Sequence, residues 1–202
     1  MKKIIIFGLI WIFLSATVCF AQSVELQLTA GNTSVDAGLD VKRELDQGYY
    51  KTGIGFVYND DEDDEDELYR IGDVRIVVGS EAFYQGLQCE LGLKGIYGLL
   101  ENKDDDGEIL GLGFMGRAAY TLSENICPIP IEFAFDISWT PGPLSFLDMD
   151  NYLETQGSVS IFIVQNAAII FSYKHFNIHM DNEPGEWKMD DDLFSVGLRL
   201  RF

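Results

Sequence analysis

The 202-residue sequence is poor in histidine and cysteine. It contains two histidines and three cysteines, so few imidazole or thiol groups are available as general bases, nucleophiles or zinc ligands. Basic residues are also scarce, because 14 Lys and Arg stand against 33 Asp and Glu, giving a formal net charge of −19 at pH 7. A surface this acidic repels phosphate backbones, which argues against nucleic acid as a partner.

Long apolar runs are missing as well. After Gln22 no run approaches the ~20 residues that a membrane-spanning helix needs. The exception is the start of the chain, where a basic Met1–Lys3 precedes the apolar Ile4–Leu14 and Cys19-Phe20-Ala21 supplies a small-x-small cleavage pattern. This layout is typical of a secretory signal peptide, with an uncleaved anchor helix as the alternative. We predict a signal peptide over residues 1–21 and a single domain over 22–202.

The composition of that domain favours strands. Hydrophobic residues make up 47% of the chain, which is too many for a disordered polymer. The 20 glycines and 13% aromatic residues favour strands and turns over a helical bundle.

Apolar and polar residues alternate along most of the domain. Successive side chains of a strand point to opposite faces of its sheet, so this alternation predicts strands with one apolar face. The last segment is the most regular, and the segment from Ile169 is the least, because both of its faces carry apolar residues. The ten predicted strands are Val24–Ala30, Ser34–Lys42, Tyr50–Tyr58, Gly72–Val78, Leu87–Tyr97, Leu110–Tyr120, Ile131–Trp139, Leu153–Ile163, Ile169–Ile178 and Phe194–Phe202.

The connections between these segments also alternate. Long acidic connections follow Asn59, Leu100, Thr140 and His179, and shorter ones lie between them. Long loops on one rim and short turns on the other are typical of outer-membrane barrels. We therefore predict an all-β fold, a single antiparallel up-and-down transmembrane β-barrel of about ten strands. An eight-stranded barrel is the alternative, and it requires two early strands to merge.

The position of the aromatic residues separates a membrane barrel from a soluble one. The apolar face carries aromatic side chains near both ends of the strands, as in the two interfacial belts of membrane barrels. A soluble lipocalin-like barrel, with these residues in its core, is the alternative. A C-terminal aromatic residue after a regular strand resembles the signal read by the outer-membrane assembly machinery, which marks Phe202. The six belt residues are Tyr50, Tyr120 and Phe202 at the periplasmic end and Tyr58, Tyr97 and Trp139 at the outer end.

Several stretches of the sequence, spread over most of residues 22–202, resemble the YfaZ family of predicted outer-membrane proteins. The resemblance is most specific over residues 132–154, with Glu132-Phe-Ala-Phe-Asp136 and Pro141-Gly-Pro-Leu-Ser-Phe-Leu-Asp148, and it extends to Gly197-Leu-Arg-Leu-Arg-Phe202. Where the family tends to have Arg, this chain has Lys174, which cannot bind in a bidentate manner. The resemblance implies an outer-membrane barrel and little settled biochemistry.

Catalytic and metal sites are weakly indicated. We expect His175 to face lipid and His179 to begin a loop, and no serine lies near either on the same strand face, so we predict no enzyme and no catalytic residue. Asn102, Asp104 and Asp106 have part of the spacing of a calcium loop, but Gly113 stands where its bidentate Glu belongs. The acidic loops are then either a solvated surface or a loose divalent-cation site shared with lipopolysaccharide. No other cofactor is expected.

Two cysteines remain after removal of the signal peptide. Cys89 and Cys127 are an even pair in an oxidising compartment, where a disulfide is possible. We expect both near the periplasmic rim on neighbouring strands; the alternative is two free thiols.

The polar faces of the strands predict a lumen filled by charge pairs. These faces carry equal numbers of acids and bases although the chain is strongly acidic, and buried charges need partners. We expect Arg75 beside Glu90, Arg117 beside Glu132 and Arg201 beside Glu25. The sixteen residues are Glu25, Asp36, Asp40, Asp73, Glu90, Glu132, Asp136, Glu154, Lys42, Lys51, Arg75, Lys94, Arg117, Lys174, Arg199 and Arg201.

Together these features predict a small, largely closed barrel in the outer membrane of a Gram-negative-type bacterium, with a structural or interaction role. A narrow channel is the main alternative, and a lipid-modifying enzyme is a distant third. The expected partners are outer-membrane lipid, lipopolysaccharide and the assembly machinery, and the expected state is a monomer.

Overall fold

The structure is a computed structural model, and it describes residues 23–61, 67–82, 84–101, 106–122, 128–182 and 185–202. The predicted signal peptide lies outside these residues. The described chain is almost wholly extended, apart from one 3₁₀ turn at Gly142–Leu144. The strands are β1 (Ser23–Ala30), β2 (Ser34–Leu45), β3 (Gly48–Asp61), β4 (Glu67–Glu81), β5 (Leu87–Glu101), β6 (Asp106–Thr121), β7 (Ile131–Thr140), β8 (Ser145–Leu147), β9 (Met149–Val164), β10 (Ala167–Asn182) and β11 (Gly185–Arg201).

Ten long strands close into an antiparallel barrel. Each pairs with the next one along the chain, and β1 pairs with β11 from Glu25↔Arg201 to Ala30↔Val196. Backbone hydrogen bonds between Val24 and Phe202 complete this seam at 2.8 and 2.9 Å. The ten-stranded prediction is confirmed, and the eight-stranded alternative is wrong. We call the rim where Ser23 and Phe202 lie the terminal rim and the opposite one the far rim.

The short strand β8 continues the course of β7 towards the far rim. It pairs with β6 through Ile109↔Leu147 and Gly111↔Ser145. Pro141 and Pro143 have no N–H to give to a ladder, so the wall is interrupted by the 3₁₀ turn between the two strands. The interruption separates the two pieces without changing the barrel's strand order.

One predicted loop is instead part of the wall. His179 lies inside β10, and the ladder with β11 continues to Asn182↔Gly185. The prediction that His179 begins a long loop is therefore wrong. The strands continue because their inner face stays apolar through Ile178, Met180 and Met189, which are fully buried.

The two faces of the wall exchange character along the strands. Near the terminal rim the outward side chains are apolar, as in Val78 and Leu91, which are 61% and 70% exposed. Beyond Tyr173 the outward positions of β10 carry His175, Asn177 and His179, whereas the inward positions are buried apolar residues. The first arrangement is that of a membrane barrel and the second that of a soluble one. The far end of the barrel thus projects beyond its apolar belt.

No helix among the described residues has the length and apolar character needed to cross a membrane.

Candidate functional site

The lumen is the candidate site, and all sixteen charged residues predicted to face it lie on the inward side of their strands. Odd and even residues of a strand face opposite sides of the wall. The inward side of each strand is the one that carries the buried core residues. Each of the eight acids has a basic partner within 4 Å. The ion pairs are Glu25–Arg199, Glu25–Arg201, Asp36–Lys174, Asp40–Arg75, Asp73–Arg75, Glu90–Lys51, Glu132–Arg117, Glu132–Arg199, Asp136–Arg117 and Glu154–Lys94.

Three of these pairs join strands that lie three positions apart around the barrel. Lys94 of β5 reaches Glu154 of β9 at 2.5 Å. Arg199 of β11 reaches Glu132 of β7 at 2.6 Å. Lys174 of β10 contacts Asp36 of β2. Since ten strands form the ring, these pairs cross the interior and do not merely line the wall.

The two residues of one predicted ion pair, Arg75 and Glu90, have other partners. Arg75 lies opposite Lys94 in the ladder and turns the other way, to Asp40 at 2.9 Å and Asp73 at 3.1 Å. Glu90 accepts instead from Lys51 at 2.6 Å and Tyr49 at 2.7 Å. The predicted Arg75–Glu90 pair is therefore wrong.

Glycine residues leave space for the cluster that Arg75 forms with Asp40 and Asp73. Gly53 and Gly55 lie under it on β3, and a Cβ at Gly53 would overlap Asp40 Oδ1 and lie 2.9 Å from Arg75 Nε. The guanidinium can therefore lie flat against the wall only because these positions lack side chains.

The other two predicted ion pairs, Arg117–Glu132 and Arg201–Glu25, are present. Arg117 is 3.4 Å from Glu132 and 3.1 Å from Asp136, and Arg201 is 2.8 Å from Glu25 across the seam.

A cluster of buried apolar side chains fills the lumen at the far end, and we call it the inner cap. Tyr69 packs edge-on against Phe176, with ring centroids 5.8 Å apart, and the ring of Tyr152 lies tilted against Phe176 at 6.2 Å. Tyr152 also donates a hydrogen bond to Glu154, which joins the cap to the charged layer. The cap comprises Val57, Tyr69, Ile71, Ile96, Leu100, Ile109, Met149, Tyr152, Phe176, Ile178, Met180, Met189 and Leu193.

The inner cap was not predicted from the sequence. Its signal was the Ile169–Ile178 segment, whose two apolar faces conflict with a simple membrane strand. Ile169, Phe171 and Tyr173 face outward, whereas Phe176 and Ile178 face inward further along the same strand. The segment spans the point where the faces exchange character.

Open space in the lumen is concentrated at the terminal rim. A vestibule of 670 Å³ opens there, with Lys42, Lys51 and Arg201 in its lining. The charged layer beneath it holds a void of only 80 Å³. The lumen therefore narrows from a wide polar mouth through a packed ionic layer to the inner cap.

Only some residues of the sites predicted outside the lumen belong to the described part of the chain. Asp106 begins β6 and pairs with Glu101, but Asn102 and Asp104 lie outside the described residues. No group of three or more potential metal ligands occurs in the part of the chain that the structure describes. Cys89 lies on the outward face and forms no disulfide with a described residue; Cys127 lies outside the described residues, so the disulfide stays a prediction.

His175 faces outward just beyond the apolar belt. Its Nδ1 lies 2.8 Å from Asp192 Oδ1, and Tyr173 donates to the same oxygen at 2.7 Å. The hydrogen bonds from Tyr173 and then His175 hold the pKa of the Asp192 carboxyl below its usual range. Because the carboxylate is then favoured, these hydrogen bonds stabilise the fold above the ordinary Asp pKa, and this stabilisation is lost as the pH falls from that pKa through the lowered pKa of Asp192.

The closed antiparallel ring, its outward apolar belt and its charged interior define a β-barrel of the outer-membrane type. Comparison with known sequences is consistent with this class: the YfaZ precursor family matches residues 1–202, the whole chain. The protein belongs to the YfaZ family, and the resemblance noted in its sequence is confirmed.

The similarity to solved structures is weak. A KdgM porin in complex with disordered oligogalacturonate is 8% identical, with a TM-score of 0.40, 89% of this chain and 99% of that chain covered. A NanC porin is 9% identical, with a TM-score of 0.34 and coverage of 89% and 97%. Among curated proteins, none is similar enough to count as a match.

Proposed function

We propose that this protein is a closed barrel of the outer membrane with a structural or interaction role. The observation that carries the proposal is the sequence of two barriers along one lumen. The ionic layer is crossed by pairs such as Lys94–Glu154, and the inner cap fills the far end with residues such as Tyr69 and Phe176, which are at most 1% exposed. Ions would have to part the first barrier and lose their water at the second.

The ionic layer also explains how so many charges are tolerated. An unpaired charge held away from water costs several kcal/mol, and each acid of the layer has a base within 4 Å. Paired charges that hold each other across the lumen stiffen the wall and exclude solutes. A conducting pore would instead need mobile water between them.

Planar-bilayer recording of the purified protein tests the proposal. We expect no steady conductance above that of the bilayer alone. Well-defined, reproducible steps would contradict the closed lumen. A matched pair of variants makes the result sharper: Phe176→Ala removes a central ring of the cap, whereas Phe171→Ala removes an outward ring 46% exposed on the same strand. Steps that appear only with Phe176→Ala would identify the cap as the barrier.

A narrow channel is the second candidate, favoured by the 670 Å³ vestibule at the terminal rim. In that case the wild-type protein itself conducts, and neutralising Lys42 or Arg201 at the mouth shifts its ion selectivity. Bilayer recording with salt gradients separates the two candidates.

The orientation of the barrel and its contacts in the membrane follow from the same features. We propose that the terminal rim faces the periplasm, that the belt contacts lipid, and that the acidic far rim meets lipopolysaccharide, with divalent cations between like charges. We further propose that the assembly machinery reads Phe202 during insertion and that the barrel is monomeric and is not an enzyme. Fractionation of the envelope, with comparison of boiled and unboiled samples on a gel, tests the location and the barrel.

A further inference from the structure

The vestibule at the terminal rim is a cavity with a closed floor. Its volume is 670 Å³, whereas the ionic layer beneath it leaves a void of only 80 Å³. Small-molecule sites commonly have volumes of about 300–1,000 Å³. A solute that enters from the terminal rim therefore has room to bind but little room to go further.

Most carboxylates in the lining of the vestibule already have a close basic partner. Four of its five acids have a basic nitrogen within 3 Å, in the pairs Glu25–Arg201, Asp40–Arg75, Glu90–Lys51 and Glu132–Arg199. The fifth acid is Glu44, whose side chain is 68% exposed to water. A cationic ligand would have to displace bases that are already paired with the buried acids, and breaking such a pair is costly.

Lys42 is the base of the lining with the loosest contact to an acid. Its Nζ lies 3.9 Å from Glu44 Oε1, which is beyond hydrogen-bond distance. No shorter polar contact to this nitrogen occurs among the described residues. The side chain lines the vestibule and is 30% exposed. Because an ammonium has three donors, Lys42 can still bind an anion.

The ring of Tyr49 fixes the position of Lys42. The Nζ of Lys42 lies 4.0 Å from the centre of this ring, in a cation–π contact. Tyr49 is 6% exposed, and its hydroxyl donates to Glu90 at 2.7 Å. Gly79 lies under the ring, where a Cβ would come within 2.6 Å of Tyr49 Cζ. The ring is therefore held against the wall, and the cation above it is held in the vestibule.

The wall on the other side of the vestibule is apolar, and we call it the apolar arc. Ala119 of β6, Pro130 before β7 and Phe162 of β9 line it. β7 lies five positions from β2 in the ring of ten strands, so the arc faces the strand that carries Lys42. Phe162 is in phase with the buried Ser160 on the inward side of β9, and its N–H donates to the Pro130 carbonyl at 3.0 Å.

From this arrangement we propose that the vestibule binds a small amphiphilic anion, a carboxylate joined to an aromatic ring or a short alkyl chain. The carboxylate accepts hydrogen bonds from Lys42, and the apolar body displaces water from the apolar arc at Phe162. A sugar acid is disfavoured as the ligand, because its hydroxyl groups would lose water against that arc. Binding at the mouth needs no path through the inner cap, so the proposal does not depend on whether the lumen conducts.

Equilibrium dialysis of the mature protein in phosphatidylcholine nanodiscs tests the proposal. The probe is 2-naphthoate, whose bound fraction is measured by its fluorescence and corrected with empty nanodiscs. Three competitors separate the two parts of the ligand. The compound 4-phenylbutyrate has both parts, 4-phenylbutylamine has the apolar body with a positive charge, and gluconate has the carboxylate on a hydroxylated body. We expect saturable binding of 2-naphthoate, displaced by 4-phenylbutyrate at a concentration roughly tenfold lower than by the other two.

Substitutions at two adjacent residues of β2 test the role of the cation. Lys42→Met removes the ammonium, and we expect about tenfold weaker binding of 2-naphthoate, as the loss of a charge-assisted hydrogen bond implies. Lys42→Arg keeps the charge and the donors, so its affinity should stay within about threefold of wild type. Arg43→Met removes a positive charge from the exposed, outward side of the same strand and should leave binding unchanged.

A second pair of variants tests the apolar arc. Phe162→Ala should weaken binding about tenfold, because the ring no longer covers the apolar body of the ligand. Ile161→Ala shortens the neighbouring side chain on the outward face of β9 and should leave binding unchanged. Added salt should weaken binding to the wild type more than to Lys42→Met, since only the wild type uses this partly exposed charge. Unchanged heat-modifiability of each variant establishes that it is folded.

Three results would overturn the proposal. They are the absence of saturable binding above that of empty nanodiscs, competition by 4-phenylbutylamine or gluconate as strong as that by 4-phenylbutyrate, and binding to Lys42→Met as tight as to Lys42→Arg. Conductance and binding are measured separately, so conductance steps together with saturable binding would refute the closed lumen and support the vestibule site.

Discussion

Loss of one partner from the cross-lumen pair Lys94–Glu154 should destabilise the barrel far more than loss of a surface pair. Both residues are 7% exposed, their charged atoms are 2.5 Å apart, and Glu154 also accepts from Tyr152. Removing one member of a buried ion pair costs about 3–5 kcal/mol, because the other charge is left uncompensated. We therefore expect Lys94→Met to lower the free energy of unfolding by about that amount.

The exposed pair Lys188–Asp190 supplies the matched control. Its charged atoms are 2.8 Å apart, but the side chains are 49% and 47% exposed. Pairs in water contribute about 0–1 kcal/mol, so Lys188→Met should have an effect of that size. The geometry is similar in the two pairs, and burial is the main difference.

A double variant isolates the uncompensated charge. Lys94→Met combined with Glu154→Gln removes both charges and keeps an acceptor for the Tyr152 hydroxyl. It should be more stable than Lys94→Met alone, because replacement of a buried pair by neutral groups is often close to neutral. Urea unfolding from lipid vesicles, followed by tryptophan fluorescence, measures all four proteins. If Lys94→Met costs no more than Lys188→Met, water screens the lumen charges and the reasoning for a closed lumen fails.

Four further outcomes can be checked on the same preparations. Arg117→Ala should destabilise the barrel by about 3–5 kcal/mol in urea unfolding, because it removes a partner of both Glu132 and Asp136. Phe176→Ala should cost about 3–5 kcal/mol as well, because a buried ring leaves a cavity. Tyr173→Phe should lower the urea midpoint at neutral pH, and the difference from wild type should shrink below the ordinary Asp pKa and vanish below the lowered pKa of Asp192, since the bond stabilises only the carboxylate; a difference that persists once Asp192 is protonated in the fold would contradict this assignment. Maleimide labelling of unfolded, unreduced protein should modify neither cysteine if the disulfide forms and both if it does not.

The sequence was sufficient for the wall and for the direction of its side chains. A period of two is a local property of the strand, so the face of each residue follows from its neighbours along the chain. The sixteen lumen charges were placed in this way, and every one lies on the inward side. The ring order also followed, because consecutive strands of an up-and-down barrel are neighbours.

Partner choice depended on the tertiary structure. Arg75 turns to Asp40 because glycines on β3 leave room there, and Arg199 reaches Glu132 across the interior. Such contacts depend on register, on the space between strands and on the width of the lumen. None of these is contained in the alternation of one segment.

The far end of the barrel shows most clearly which features follow from the sequence and which depend on the tertiary structure. The sequence established that β10 has apolar residues on both faces, but it did not reveal that the outward set serves the belt and the inward set the cap. That assignment requires the height at which the surroundings of the wall change, which is fixed by all ten strands together. Sequence periodicity thus determined the strands, their faces and the charges they carry, whereas the inner cap and the cross-lumen pairs arise only when the closed ring sets which distant residues share one space.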